Sequence, residues 1–216
     1  MFRTSEDCKV TAEKEAKTGT QFPGTFCHLR KKDCPSIVGV GARAKRLLGV
    51  KNVDVYALGL YVDSAAVKEK VAPKYRDQAP GALSDSQQLL DEVACCNEVE
   101  KTLRIVVTSG LVNQSRFTKG IRESLTQPLQ KAGALQPLDD FEARFAGAEF
   151  HKGMEVAFSN TRSGGLALRI GGKDAGVVDS QKFTDAFFGL YMGADPVSKD
   201  GRSSIARGLA TLVAQP

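Results

Sequence analysis

The 216-residue sequence contains no tryptophan, two histidines and five cysteines. Without tryptophan there is no Trp-lined platform for a sugar or a nucleobase. A structural zinc site wants four Cys/His ligands at paired spacings, and no C-x-x-C pair is present. Cys27, His28 and Cys34 supply three candidate ligands with nothing to complete the set, so no metal is expected. Cys8, Cys27, Cys34, Cys95 and Cys96 read instead as reduced thiols of an intracellular protein. No apolar run approaches the roughly 18 residues that a membrane span requires. Charge of one sign is also in short supply. Thirty basic against 25 acidic residues leave a net charge of +5, which permits an acidic ligand without demanding nucleic acid. The N-terminal residues lack the apolar core of a secretory signal, and Glu6, Asp7, Glu13 and Glu15 do not suit an intact organelle transit peptide.

What is present fits an ordinary globular chain, 42% hydrophobic and 25% charged, able to bury a sizeable core. Residues 1–20 are polar and are expected to form a flexible segment ahead of a single domain over 21–216. Phe26–Leu29 and Ile37–Val40 read as short strands. Val53–Val62 is a strong strand, with Tyr56, Leu58, Leu60 and Val62 on one face and Val55, Ala57, Gly59 and Tyr61 on the other. Asp63-Ser64 offers a helix cap, and Ser84–Cys95 reads as a helix. Thr102–Thr108 is a strand. Asn113–Gln130 has helical spacing at Phe117, Ile121 and Leu125. Asp139-Asp140 caps another helix. Alternation then returns at 154–158 and 166–170, and Gly171-Gly172 marks a hairpin into 173–178. Ser180 caps a helix with Phe183, Phe187, Leu190 and Tyr191, and 203–214 closes the chain as a helix. Hairpins demand antiparallel pairing, so the expected class is α+β: an antiparallel sheet with a layer of helices packed against it.

Gly39-x-Gly41-x-x-Ala44 matches a dinucleotide-binding fingerprint, with Asp63 about 20 residues further on as the ribose acid. The context is wrong. Only about four strand residues precede the glycines, and the helix expected over Arg43–Leu48 has under two turns before Gly49, too short for a βαβ crossover. No cofactor is expected.

Residues 39–63, GVGARAKRLLGVKNVDVYALGLYVD, carry a G-x-G-x-R stretch (Gly39, Gly41, Arg43), then Gly49, then a strand ending in Gly59-x-Tyr61. Near the C-terminus, FFGLYMGADPVSKDGR carries Gly193, Asp195, Pro196, Val197 and Ser198. With these motifs the chain resembles the chalcone isomerase fold family over roughly residues 20–214. The resemblance implies an open-faced sandwich of sheet and helices. One branch of that family cyclises chalcones to flavanones; another comprises plastid fatty-acid-binding proteins. Val55-Tyr56-Ala57-Leu58-Gly59 is similar to the binding branch, because the enzymes have threonine where Tyr56 stands. The enzymes' Tyr, Lys and Asn of a substrate-facing helix fall on Phe117, Gly120 and Ser124, with Lys119 one residue away. Their Thr/Ser–Met/Ile pair falls on Leu190-Tyr191. The resemblance thus implies non-catalytic binding of a long-chain fatty acid in the plastid stroma; without that address the cytoplasm is the default. The alternatives it leaves are a chalcone–flavanone isomerase (an intramolecular lyase) in which Arg43 holds the phenolate, and a non-catalytic polyketide-binding helper.

The residues support the implied site on physical grounds. Arg43 stays charged in any environment and presents a planar fork that matches a carboxylate, and Tyr56 adds a phenolic donor. Leu58 shares the Tyr56 face, so apolar surface runs away from the polar end. Phe117, Ile121, Phe187, Leu190 and Tyr191 are further candidates to line a pocket. The blander alternative makes Arg43 a solvated neighbour of Lys45 and Arg46, and makes the apolar residues ordinary core.

Overall fold

Strand β1 (Glu13–Lys14) pairs with β2 (Gln21–Phe22) near the N-terminus, in a computed structural model that describes residues 11–47 and 51–215. Six further strands lie side by side in sequence order in one antiparallel sheet: β3 (Ser36–Leu47), β4 (Lys51–Val62), β5 (Lys101–Val107), β6 (Glu155–Asn160), β7 (Leu166–Ile170) and β8 (Lys173–Val178). The helices are α1 (Ser64–Ala66), continued by a π turn at Val67–Val71 and a 3-10 turn at Ala72–Lys74, then α2 (Pro80–Leu83), α3 (Gln87–Cys95), α4 (Gln114–Lys131), α5 (Pro137–Ala143), α6 (Gln181–Met192) and α7 (Lys199–Ala214). The α+β class stands.

Local chemistry sets most of these boundaries. Asp63, Ser86, Asn113, Ser180 and Ser198 each accept a backbone N–H at a helix start. Gly171 and Gly172 take φ of 56° and 79°, the left-handed pair that a tight hairpin needs. The period-2 pattern of β4 places Tyr56, Leu58, Leu60 and Val62 against the helix layer, in a core shared with Phe117, Phe141, Phe187 and Ile205. Its other face buries Ala57 and Tyr61 with Phe22, Ile37 and Val106, covered by chain from the 20s and 30s.

The structure corrects several expectations. Residues 11–20 are not featureless, since Glu13–Lys14 is a strand and the Glu15 carboxylate accepts the backbone N–H groups of Lys17 and Thr18; residues 1–10, Cys8 among them, lie outside the described residues. Phe26–Leu29 is not a strand, and only Thr25 bridges to Ser36. The helix expected after the fingerprint glycines is absent, because Gly39, Gly41 and Arg43 all lie within β3; Leu48 and Gly49 lie outside the described residues. The glycines serve packing instead. A Cβ on Gly39 would sit 2.5 Å from the Ile205 nitrogen, one on Gly41 2.4 Å from the Gly201 Cα, and one on Gly208 1.7 Å from the Val38 carbonyl oxygen. Three glycines therefore bring α7 into backbone contact with β3. Asp63 caps α1 and pairs with Arg30, so it is no ribose ligand. The helix expected over Ser84–Cys95 starts later, at Gln87 with Ser86 as its cap, and a separate short helix, α2, precedes it.

Cys27 and Cys34 are joined as a disulfide (Cα–Cα 4.9 Å), which corrects the expectation of reduced thiols for these two. Cys95 and Cys96 are free. Between the bridged cysteines, the His28 Nδ1 lies 2.7 Å from the Ser159 hydroxyl, so the Cys27–His28–Cys34 trio is committed to structure. No cluster suited to a metal ion exists among the described residues, and no helix there is long and apolar enough to cross a membrane.

Candidate functional site

Arg43 on β3 stands directly opposite Tyr56 on β4. One residue further the register jumps: Ala44 pairs with Asp54, so Val55 is the extra residue of a β-bulge. Thr108 fastens the bulged segment from the β5 side: its N–H donates to Val55 O (3.1 Å) and its hydroxyl to Asp54 O (2.8 Å). The bulge interrupts the alternation that strict period-2 geometry predicts. Val55 joins the helix-side core with Tyr56 rather than facing the other way, and this corrects the expected facing.

A cavity of about 210 Å³ opens at this corner of the sheet. Its floor is Arg43, Lys45, Val55 and Tyr56; its wall is the first half of α4, with Arg116, Phe117, Lys119, Gly120 and Glu123; its lip is Leu111 and Val112. Gly120 has a role in the wall, since a Cβ there would meet the Lys45 ammonium at 3.0 Å. The Phe117 ring meets Tyr56 edge-on at 6.1 Å and continues into Phe145 and Phe150 at 5.5 and 5.2 Å.

The polar groups at the inner end form a chain of donors. The Arg43 guanidinium donates to the Tyr56 hydroxyl (3.3 Å), which lies 3.2 Å from the Tyr191 hydroxyl on α6. Tyr191 is 1% exposed. Burial pushes its phenol well above the ordinary range, with Tyr56 adding to the rise and Arg43 opposing it, so it stays protonated. Burial disfavours the Arg43 charge, but the two tyrosine oxygens, together with the more distant Glu123 carboxylate, outweigh it and the net shift is upward. Among the described residues Arg43 makes no ion pair, and a guanidinium has five N–H donors to place. A half-buried cation with spare donors, two phenols behind it and an apolar wall beside it is arranged to receive an anion that carries apolar substance.

Of the residues singled out from sequence, Arg43, Tyr56 and Phe117 line the cavity, and Tyr191 touches it through Tyr56. Leu58, Ile121, Phe187 and Leu190 do not line it in this conformation. They are buried deeper, between the sheet and the helix layer. Sequence reasoning passed over Lys45, Val55, Leu111, Val112, Arg116 and Glu123 as site residues, and named Lys119 only as the neighbour of an aligned position. A signal for α4 existed. Arg116, Lys119 or Gly120, and Glu123 recur at helical spacing beside the apolar Phe117–Ile121–Leu125 stripe, marking a second, polar face. Of the three α4 positions aligned with the enzymes' polar residues, Phe117 and Gly120 line the cavity without a polar side-chain group, and the Ser124 hydroxyl donates to the Gly120 carbonyl.

A family model described as chalcone isomerase-like matches residues 36–205. The chain belongs to that family. Among its relatives, Fatty-acid-binding protein 1 of Arabidopsis thaliana is 29% identical over 203 residues, covering 92% of this chain and 70% of the relative. Fatty-acid-binding protein 2 of the same plant is also 29% identical over 92% of this chain, which spans about half (51%) of that relative's length. Chalcone isomerase-like protein 1 of Humulus lupulus is 25% identical over 83% of this chain and 81% of its own. A crystal structure of an Arabidopsis thaliana fatty-acid binding protein superposes with a TM-score of 0.83 at 26% identity, covering 94% of this chain and all of that one.

Proposed function

We propose that this chalcone isomerase-like chain binds a long-chain fatty acid without transforming it. The observation that carries the proposal is the Arg43 guanidinium, turned into a largely apolar cavity beside Tyr56 with no carboxylate bonded to it among the described residues. The names of the two Arabidopsis relatives point the same way. The ligand carboxylate accepts from Arg43 and from the Tyr56 hydroxyl, and the tail runs past Phe117. An unpaired buried carboxylate would be costly, and the arginine offsets that cost.

The tail supplies the gross driving force. Burying about 14 methylenes at about 0.8 kcal/mol each gains about 11 kcal/mol, much of it cancelled by lost motion and by desolvation of the carboxylate. The cavity of about 210 Å³ is smaller than the ~300–1,000 Å³ of typical ligand sites. A long tail therefore enters by displacing the Phe117 ring from Phe145 and Phe150, after which Leu58, Ile121, Phe187 and Leu190 come to line its path.

Native mass spectrometry and lipid extraction of the purified chain test this. A fatty acid is expected to co-purify or to bind on addition, and Arg43→Ala is expected to abolish it. Unchanged lipid binding in that variant would sink the proposal. A hydroxychalcone is expected to lose absorbance no faster than it does spontaneously; turnover abolished by Arg43→Ala would replace the binding role with catalysis.

A further inference from the structure

Fatty-acid tails partition into bilayers for the same reason they enter an apolar cavity, so a protein that collects them gains by bringing its cavity mouth to a membrane. The surroundings of this mouth are specific. Arg43, Lys45, Arg116 and Lys119 line it against one carboxylate, Glu123, which lies 3.9 Å from Lys45. The cations crowd each other: burial pushes the Lys45 ammonium down, and Arg43 and Lys119 push it further, with Glu123 opposing. The positive end of α4 faces the same rim, since its first turns supply Arg116 and Phe117.

Beside these charges stands Leu111, on the loop between β5 and α4, with 51% of its surface exposed. Arg116 Nη1 donates to the Leu111 carbonyl at 2.7 Å, which holds the leucine next to the cation. Among the described residues the other exposed large hydrophobics are Leu29, Leu135 and Val177, and none of them borders the cavity. An apolar tip set among lysine and arginine at the entrance of an apolar cavity combines the two forces that hold peripheral proteins on anionic bilayers.

We propose that the cavity mouth, through Leu111, Arg116, Lys119 and Lys45, docks on an anionic lipid leaflet, from which the fatty acid passes to Arg43 without crossing bulk water. This rests on the fatty-acid reading and names the surface from which the ligand comes. An acidic carrier protein would satisfy the cations equally well and is therefore an outcome of the test.

The test is flotation of the full chain with vesicles of phosphatidylcholine alone, and with vesicles of phosphatidylcholine and phosphatidylglycerol in equal parts. Binding is expected only to the anionic vesicles and is expected to weaken with salt. Arg116→Glu combined with Lys119→Glu should lower the partition coefficient by about tenfold or more. Leu111→Ser should lower it by about threefold. Both variants alter exposed side chains, and circular dichroism checks that they are folded. Equal binding to neutral vesicles, an unchanged charge-reversal variant, or attachment only to an acidic acyl carrier protein overturns the proposal. A parallel fatty-acid titration in vesicle-free buffer separates the two readings. Uptake of fatty acid without flotation overturns the docking surface alone. Flotation without uptake overturns the fatty-acid reading and leaves the surface as a membrane-docking face.

Discussion

Strand β4 turns a tyrosine to each face of the sheet, and each has an arginine beside it. On the outer face Tyr61 lies near Arg104, each of whose guanidinium nitrogens is engaged: Nε donates to Glu155 at 3.0 Å, Nη2 bonds the same carboxylate, Nη1 reaches the Gln21 carbonyl, and the plane lies over Phe22 and Phe26. On the inner face Tyr56 lies near Arg43, which among the described residues bonds one phenol and no carboxylate. The residue types match and the chemistry does not. A guanidinium with its carboxylate supplied by the chain fastens loops to a sheet. One without it keeps its bonding capacity for a ligand.

The sharpest way to break this contrast is to remove each arginine. Arg43→Leu is expected to cost about 3 kcal/mol of fatty-acid affinity, more than 100-fold in Kd, while the ligand-free protein is no less stable in urea. Arg104→Leu is expected to cost about 2 kcal/mol of folding stability, a value discounted because Glu155 is half exposed, with fatty-acid affinity unchanged. Should both variants lose affinity alike, the distinction between the faces fails.

The outer face also has its own pH dependence. Burial, with help from the Arg169 charge and against Asp174, depresses His28 from its usual 6.5 to about 4. The unfolded chain therefore binds a proton that the folded chain refuses. Stability held at pH 7 falls as pH drops from about 6.5 through about 4; the shift corresponds to about 3 kcal/mol, reduced to about 1–2 kcal/mol because the ring is partly exposed. His28→Gln should flatten that slope in urea titrations at pH 7 and 4.5; an equal slope in the variant would assign the effect elsewhere. The smallest expected effects lie at the phenols. Tyr56→Phe removes one donor to the carboxylate and should weaken binding by about 1 kcal/mol, and Tyr191→Phe by less, because it acts only through Tyr56. Isothermal titration of the two variants ranks them, and the reverse order would place the carboxylate against Tyr191 instead.

Much of the scaffold was legible from local chemistry. Asn113 and Ser180 mark their helices by capping, and Gly171-Gly172 marks its turn. What misled was long-range. Gly39 and Gly41 look like a phosphate loop until α7, 160 residues later in the chain, is seen to need their missing side chains. The Val55 bulge is invisible to any rule of strict alternation, because an extra residue in one strand is defined only by its partner. The Arg43–Tyr56 pairing, 13 positions apart, came from family resemblance and not from spacing. The cavity wall on α4 was half read: its apolar stripe stands out, while its charged residues look like a solvated face until the sheet closes the other side.

The glycine seam gives the cavity the mechanics of a vise. Arg43 rides on the jaw that is bolted down, since β3 meets α7 backbone to backbone. Phe117, Lys119 and Gly120 ride on the opposite jaw, α4, which packs chiefly on α6. On the proposed reading, substitutions on α4 reset the gap for a thicker or longer tail while Arg43 keeps its place, so what is held can change without changing how it is held.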